Sequence, residues 1–152
     1  MSREPRAITI LCADDDPEDR MLMQDAWQES RVANTLDFVQ DGEELMDYLH
    51  RRGKHAALES TPLPGLILLD LNMPRKDGRE ALKEIKSHPA LRAIPVVVLT
   101  TSKAEEDILR AYDLGVNSFI IKPVTFKSLV DLTLAFSKYW FEIVELPPSE
   151  AA

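Results

Sequence analysis

Five short apolar segments alternate with longer amphipathic segments along almost all of this 152-residue chain. A short, continuously apolar segment is typical of a strand that helices cover on both faces. The amphipathic segments carry apolar residues at helical spacing, which favours helices packed on those faces. This pattern predicts one open, doubly wound α/β sheet of parallel strands. The predicted strands are 7–13, 35–40, 63–70, 94–101 and 118–123, and the predicted helices are 17–30, 41–52, 78–88, 102–115 and 125–140.

Residues that commonly begin or end helices stand at the predicted helix ends. Asp16 precedes Pro17, and proline is favoured at the first helical position, so Asp16 is predicted to cap the first helix. Gly115 follows the fourth predicted helix, where glycine often ends a helix. Two further capping pairs are predicted: Asp41 with Glu44, and Ser102 with Glu105.

The composition limits the classes of protein to which the chain can belong. A net charge of −8 and a pI of about 4.9 argue against direct nucleic-acid binding, which normally needs a basic surface. Cys12 is the only cysteine, so an internal disulfide is impossible, and we expect it to be buried in the first strand. The apolar segment near the N-terminus is too short for a secretory signal or a membrane span. We therefore expect one soluble, cytoplasmic domain.

Chemically distinctive residues stand at the ends of four predicted strands. Three consecutive aspartates, residues 14–16, follow the first strand, and Asp70 ends the third. Thr100 lies near the end of the fourth strand and Lys122 near the end of the fifth. Carboxylates ~4 Å apart repel by roughly 4 kcal/mol at a surface-like dielectric, so the acidic cluster indicates a bound cation. Since open α/β sheets bind ligands beyond the carboxyl ends of their strands, these residues predict a single site.

This ordered set of residues resembles the receiver domain of two-component response regulators. The shared motifs are an acidic pair after the first strand, "DLNMP" with "DG" shortly after, threonine ending the fourth strand, and "KP" ending the fifth. The resemblance covers residues 7–140 as a receiver domain and leaves 141–152 as a C-terminal extension. It implies a flavodoxin-like, five-stranded parallel sheet with strand order 2-1-3-4-5.

By the same resemblance, the acids of the site divide between two roles. Asp70 is the expected phosphoacceptor. Asp14, Asp15 and Asp70, with the backbone carbonyl of Asn72, are the expected ligands of Mg²⁺, a cation that prefers oxygen ligands. Asp16 is expected to cap the first helix only.

The resemblance also assigns the remaining site residues. Thr100 and Lys122 are expected to contact the phosphoryl group once it is attached to Asp70. Phe119, three residues before the lysine, is the expected switch aromatic, although it lacks the hydroxyl of the commoner tyrosine. The resemblance points to a cis Lys122–Pro123 peptide, which would aim the lysine into the site, but the sequence itself leaves the isomer open.

The implied function is that of a single-domain response regulator in a phosphorelay. It would accept a phosphoryl group from a sensor histidine kinase and signal through protein contacts, catalysing only its own phosphorylation and dephosphorylation. The long segment 51–64 and the aromatic C-terminal segment resemble the small receivers that partner bacterial phytochrome histidine kinases.

Apolar residues of the last predicted helix cover more than one face of the helix, whereas a helix that only packs on the sheet needs one apolar face. We therefore expect a homodimer through this helix and residues 141–152, with the alternative that the tail folds back on its own domain. The apolar residues are Phe126, Leu129, Val130, Leu132, Leu134, Phe136, Tyr139 and Trp140.

Two other functions remain open from the sequence. A pseudo-receiver that binds partners without phosphorylation would share the fold. A haloacid-dehalogenase-like phosphatase would also use an aspartate nucleophile and Mg²⁺, but its second motif aspartate is Asn72 here, which removes the general acid. A nucleotide-binding function lacks support, since no glycine-rich loop follows the first strand.

Overall fold

A computed structural model of the chain describes residues 8–32, 34–101, 105–123 and 125–139. Its strands are β1 (Thr9–Ala13), β2 (Thr35–Val39), β3 (Leu66–Leu69), β4 (Val96–Thr100) and β5 (Ser118–Ile121). Its α-helices are α1 (Pro17–Glu29), α2 (Gly42–Leu49), α3 (Gly78–Ser87), α4 (Glu105–Asp113) and α5 (Phe126–Phe136), and a 3₁₀ helix (Gly53–Leu58) follows α2. The strands are parallel and lie in the order β2-β1-β3-β4-β5. The predicted doubly wound sheet and its strand order are confirmed.

The central strands are buried on both faces, as their continuous apolar sequences predicted. Every residue of β3 and β4 is buried. One face of the sheet packs against α2 and α3 through residues such as Leu45 and Leu82. The other face packs against α1 and α5 through Trp27 and Phe136. Cys12 lies in this second core as predicted, and burial raises the pKa of its thiol far above the ordinary value.

The predicted caps explain where the described helices begin and end. Asp16 Oδ1 accepts a hydrogen bond of 2.9 Å from the backbone N–H of Glu18 at the start of α1. Asp41 caps α2 in the same way. Gly115, with φ of 100°, follows α4 in the left-handed conformation that ends helices. The predicted cap Ser102 lies outside the described residues.

The segment between α2 and β3 is anchored by a buried arginine. The Arg51 guanidinium donates hydrogen bonds to the carbonyl oxygens of Tyr48 (2.8 Å) and Pro62 (2.9 Å). It also lies over the Tyr48 ring, 5.2 Å from the ring centroid. This long connection is therefore held against the C-terminal end of α2.

α5 and the described residues directly after it leave several apolar side chains exposed. Phe126, Leu134 and Tyr139 are 44%, 48% and 55% exposed, whereas Phe136 is buried against the sheet. Trp140 and residues 141–152 lie outside the described residues. Among the helices that the structure describes, none combines the length and apolar character of a membrane span.

Candidate functional site

The carboxyl ends of β1 and β3 bring two buried aspartates together. Asp14 directly follows β1, where its N–H donates to the carbonyl oxygen of Val39 in β2 (3.0 Å). Asp70 directly follows β3, and its N–H donates to the carbonyl oxygen of Ala13 in β1 (3.0 Å). Both side chains are buried. Sheet hydrogen bonding therefore determines the separation of these two acids, although they are far apart in sequence.

Three carboxylates form a cluster with the character of a cation site. Asp14, Asp15 and Asp70 can each offer one oxygen, and these oxygens lie within 4.8 Å of one another. Burial raises the pKa of Asp14 above its ordinary value, and the hydrogen bonds from Lys122 and from the N–H of Asp16 offset this effect only in part. The charged form of Asp14 is therefore still disfavoured by burial, and a bound cation would stabilise it. Because the three residues offer only oxygen ligands, they fit a hard divalent cation such as Mg²⁺.

Lys122 extends from the end of β5 into this cluster. Its Nζ lies 2.6 Å from Asp14 Oδ2 and 2.9 Å from Asp70 Oδ2. A third carboxylate oxygen, Oδ2 of Asp19, is also 2.9 Å away. Burial lowers the pKa of Lys122, but its hydrogen bonds to the three acids more than offset this, so the pKa is raised. The side chain therefore stays a fully protonated ammonium.

The Lys122–Pro123 peptide, whose isomer the sequence left open, is trans and not the cis form that the resemblance pointed to. None of the peptide bonds in the described residues is cis. The N–H of Lys122 donates to the carbonyl oxygen of Thr100 (2.9 Å), which continues the pairing of β5 with β4. From this position, the long lysine side chain reaches the acids although the Lys122–Pro123 peptide is trans.

The second oxygen of Asp70 is held by donors from two other segments. The Thr100 hydroxyl donates to Asp70 Oδ1 (2.9 Å), and the N–H of Asn72 donates to the same oxygen (3.0 Å). The amide of Asn72 also donates to the Thr100 hydroxyl oxygen (3.4 Å). Asp70 is thus oriented on one side by neutral donors and on the other by the Lys122 ammonium. Such a carboxylate is positioned to act as a nucleophile whose reaction product meets donors already in place.

Two close backbone approaches shape the loop after Asp70. A Cβ atom on Gly78 would overlap the carbonyl oxygen of Asp70, and one on Gly42 would overlap the carbonyl oxygen of Lys76. Arg75, which has a φ of 64°, also pairs through its guanidinium with Glu43 on α2 (2.9 Å). The start of α2 therefore holds the loop that carries Asn72.

Two site residues were not predicted from the sequence. Asp19 pairs with Lys122, and Arg20 Nη1 donates to the carbonyl oxygen of Asp14 (2.7 Å). Both belong to the first turns of α1, which starts directly after the acidic cluster. That proximity was the available signal, but acidic residues in a first turn are common in any helix.

Phe119 lies in β5 beside Val98 of β4 and is half-buried against the core. Its N–H donates to the hydroxyl oxygen of Tyr112 in α4 (3.2 Å). A tyrosine hydroxyl thus contacts the backbone of this position from a neighbouring helix, although Phe119 itself has none.

Residues 10–133 match a family model described as the response regulator receiver domain. The chain belongs to the response regulator receiver family. The receiver is 42% identical over 138 residues to response regulator Rcp1 of Synechocystis sp., an alignment that covers 91% of this chain and 92% of Rcp1. Its fold is similar to the solved Mn(2+)-bound form of Rcp1, with a TM-score of 0.83, 40% identity, and coverage of 93% and 99% of the two chains. It is also similar to the phosphorylated cyanobacterial phytochrome response regulator RcpA, with a TM-score of 0.85, 42% identity, and coverage of 94% and 100%.

Membership of this family establishes the general function. The receiver takes part in two-component signalling by phosphorylation, and receiver domains have histidine kinases as partners. Members are typically signalling proteins and not enzymes. The solved form of Rcp1 holds Mn(2+), and the acidic cluster of this receiver offers the oxygen ligands that receiver domains use for a divalent cation such as Mg²⁺.

Proposed function

We propose that Asp70 accepts a phosphoryl group from a phosphohistidine of a sensor histidine kinase. One carboxylate oxygen of Asp70 forms a bond to phosphorus while the bond from phosphorus to the imidazole nitrogen breaks. The other nitrogen of the phosphorylated ring already carries a proton, so the ring leaves as neutral imidazole and the charges balance. The observation that carries this proposal is the arrangement of Lys122 and Thr100 on opposite oxygens of one buried aspartate.

The other residues of the site act on the charge of the phosphoryl group. The Lys122 ammonium and the Thr100 hydroxyl are donors already aimed at Asp70, and they would move toward the new group and donate to its phosphoryl oxygens. Asp14, Asp15 and Asp70, with the backbone carbonyl of Asn72, would hold the divalent cation. When bound, the cation supplies further neutralisation of phosphoryl charge.

We propose that Phe119 follows the movement of Thr100 after phosphorylation. The new group brings about −1.5 to −2 charge to Asp70, which draws the Thr100 hydroxyl toward it. Because β4 and β5 are adjacent, with Val98 beside Phe119, this movement reaches the half-buried ring. The contact between Phe119 and Tyr112 supports α4 as the next element to respond.

Mass spectrometry of the intact chain tests phosphorylation at Asp70. Wild type, Asp70→Asn and Asp16→Asn are incubated with acetyl phosphate, with and without Mg²⁺. We expect one Mg²⁺-dependent phosphoryl adduct on wild type and on Asp16→Asn, because asparagine also caps helices well. We expect none on Asp70→Asn. An adduct on Asp70→Asn would disprove the assignment, and no adduct on wild type at any Mg²⁺ concentration would favour the phosphorylation-independent pseudo-receiver.

We further propose a kinase of the phytochrome type as the partner, acting in the cytoplasm where ATP is available. The support is the similarity to RcpA, which is described as a phytochrome response regulator. The test mixes the chain with several autophosphorylated kinases. Transfer from kinases of other classes, with none from phytochrome-type kinases, would exclude this partner.

We propose that residues 7–140 form the receiver domain and that the last helix, with the extension 141–152, forms a homodimer. The exposed apolar residues of α5, among them Leu134, support a contact there. Sedimentation equilibrium compares wild type with Leu134→Asp, in both phosphorylation states. Leu109→Asp, at an exposed position of α4, is the matched control. A loss of dimer with Leu134→Asp alone is expected, and monomeric wild type in both states would disprove the proposal.

A further inference from the structure

Asp19 is a third carboxylate partner of the Lys122 ammonium. Nζ of Lys122 lies 2.9 Å from Asp19 Oδ2, the same distance as from Asp70 Oδ2. With the bond to Asp14, these contacts use all three N–H donors of the ammonium. The Asp19 side chain is 37% exposed, whereas those of Asp14 and Asp70 are 7% and 8% exposed. Asp19 therefore stands at the mouth of the site, and the other two acids lie inside it.

Lys122 and a divalent cation compete for the same two carboxylates. Asp14 and Asp70 belong to the cluster of three acids that can share a cation, whereas Asp19 lies outside that cluster in the described structure. An ammonium and a dication on one pair of carboxylates repel each other, and burial strengthens the repulsion. A bound cation therefore weakens the hold of Asp14 and Asp70 on Lys122. The carboxylate that stays available to the ammonium is Asp19.

We propose that Asp19 is a positioning residue that holds Lys122 when Mg²⁺ binds Asp14 and Asp70, and that it thereby raises the affinity of the site for the cation. The inference rests on the proposed function, because it assigns the cation to these carboxylates. Without Asp19, the Lys122 ammonium pairs only with Asp14 and Asp70, which are also ligands of the cation. An incoming cation must then displace the ammonium from both. With Asp19, the ammonium keeps one ion pair at the mouth of the site while the cation binds the two buried acids.

Glu18 is a matched control for Asp19. It is an exposed acid in the same first turn of α1, so Glu18→Gln and Asp19→Asn remove one negative charge from nearly the same place. Both acids also face the same helix N-terminus, so any favourable interaction with the helix dipole is lost equally. The three hydrogen bonds of the Lys122 ammonium go to other residues.

Calorimetric titration with MgCl₂ tests the proposal, with each variant made alone and combined with Lys122→Met. We expect Asp19→Asn to weaken Mg²⁺ binding at least about fivefold, and Glu18→Gln less than about twofold, as is typical of an exposed charge. In the Lys122→Met background the two variants should have the same small effect, since the residue that Asp19 positions is absent. Asp19→Glu keeps the carboxylate and should restore most of the affinity.

Three results would overturn the proposal. Equal losses of Mg²⁺ affinity with Asp19→Asn and Glu18→Gln in the otherwise wild-type chain would mean that Asp19 acts only through its negative charge and does not position Lys122. A large effect of Asp19→Asn that persists with Lys122→Met would make Asp19 a direct contact of the hydrated cation. Unchanged binding by Asp15→Asn would place the cation elsewhere. Thermal unfolding in EDTA verifies that each variant is folded, and because the titration uses no phosphodonor, its outcome is independent of whether Asp70 is phosphorylated.

Discussion

The Thr100 hydroxyl donates a hydrogen bond of 2.9 Å to Asp70 Oδ1, and both side chains are buried. Thr100 ends β4 and Asp70 directly follows the adjacent parallel strand β3, so the sheet itself determines their separation. The bond therefore connects the carboxylate that we propose is phosphorylated to a strand that can transmit the change.

Replacing Thr100 with valine should slow phosphorylation of Asp70 without abolishing it. Valine keeps the shape but removes a donor to a charged group, which is worth about 1.5–3 kcal/mol, or about tenfold or more in rate. The rate of adduct formation from acetyl phosphate is the measurement. Thr100→Ser retains the hydroxyl and should stay within about threefold of wild type. Equal rates for the valine and serine variants would show that the hydroxyl is not used.

Lys122→Met should destabilise the fold most when divalent cations are absent. The substitution leaves the buried carboxylates of Asp14 and Asp70 without their ammonium, and breaking a buried pair in this way costs about 3 kcal/mol. Urea unfolding in EDTA and in saturating Mg²⁺ measures the loss. Mg²⁺ should narrow the difference from wild type, because it neutralises the same acids. A difference that Mg²⁺ leaves unchanged would mean that the cation and the lysine act at separate places.

Mg²⁺ affinity should fall as the pH is lowered, beginning above the range in which ordinary aspartates protonate. Burial raises the pKa of Asp14 above its ordinary value of 3.8, so the protonated carboxyl, which is a poor ligand, persists to higher pH. Affinity is therefore complete well above the raised pKa and is lost as the pH falls through it. Calorimetry between about pH 8 and about pH 4.5 follows this loss. Asp25→Asn, an exposed position of α1, should leave the profile unchanged.

Glu44 should contribute to stability at neutral pH and cease to do so in acid. Burial raises the pKa of Glu44, but hydrogen bonds from Lys54, the N–H of Gln40 and His55 more than offset this, so the pKa is lowered from 4.5. A lowered pKa means that the stabilisation is present above the unfolded value and is lost as the pH falls through the folded value. Urea unfolding should show Glu44→Gln about 1 kcal/mol less stable near neutral pH, with the gap closing in acid. Glu59→Gln, at an exposed position, is the control.

Gly42→Ala should destabilise the receiver even though alanine favours helices. The added methyl would overlap the carbonyl oxygen of Lys76, and such overpacking costs about 1–3 kcal/mol. The shift would also displace the loop that carries Asn72, so Mg²⁺ affinity should fall with stability. Gln28→Ala, exposed on α1, should change stability by less than about 0.5 kcal/mol. A Gly42→Ala variant as stable as wild type would show that the loop can move away.

Local signals in the sequence predicted the fold correctly, but they did not distinguish edge strands from central ones. β5 reads as apolar as β4, yet β5 is half-exposed whereas every residue of β4 is buried. Both strands satisfy the same hydrophobic pattern, and only their place in the sheet differs. Seven of the ten strand ends were predicted one to three residues too far out, because hydrophobicity does not mark where ladder hydrogen bonding stops.

The sequence by itself determined the alternation of strands and helices, the caps at Asp16 and Asp41, and the placement of Asp14, Asp70, Thr100 and Lys122 at strand ends. These features depend on periodicity and on residues close in the chain, which a linear pattern records. The tertiary structure alone decided that Lys122 reaches the acids from a trans peptide and that Asp19 shares its ammonium. The ion pair joins residues 103 positions apart. Its formation depends on where α1 begins and β5 ends in space, which the local sequence around either residue does not determine.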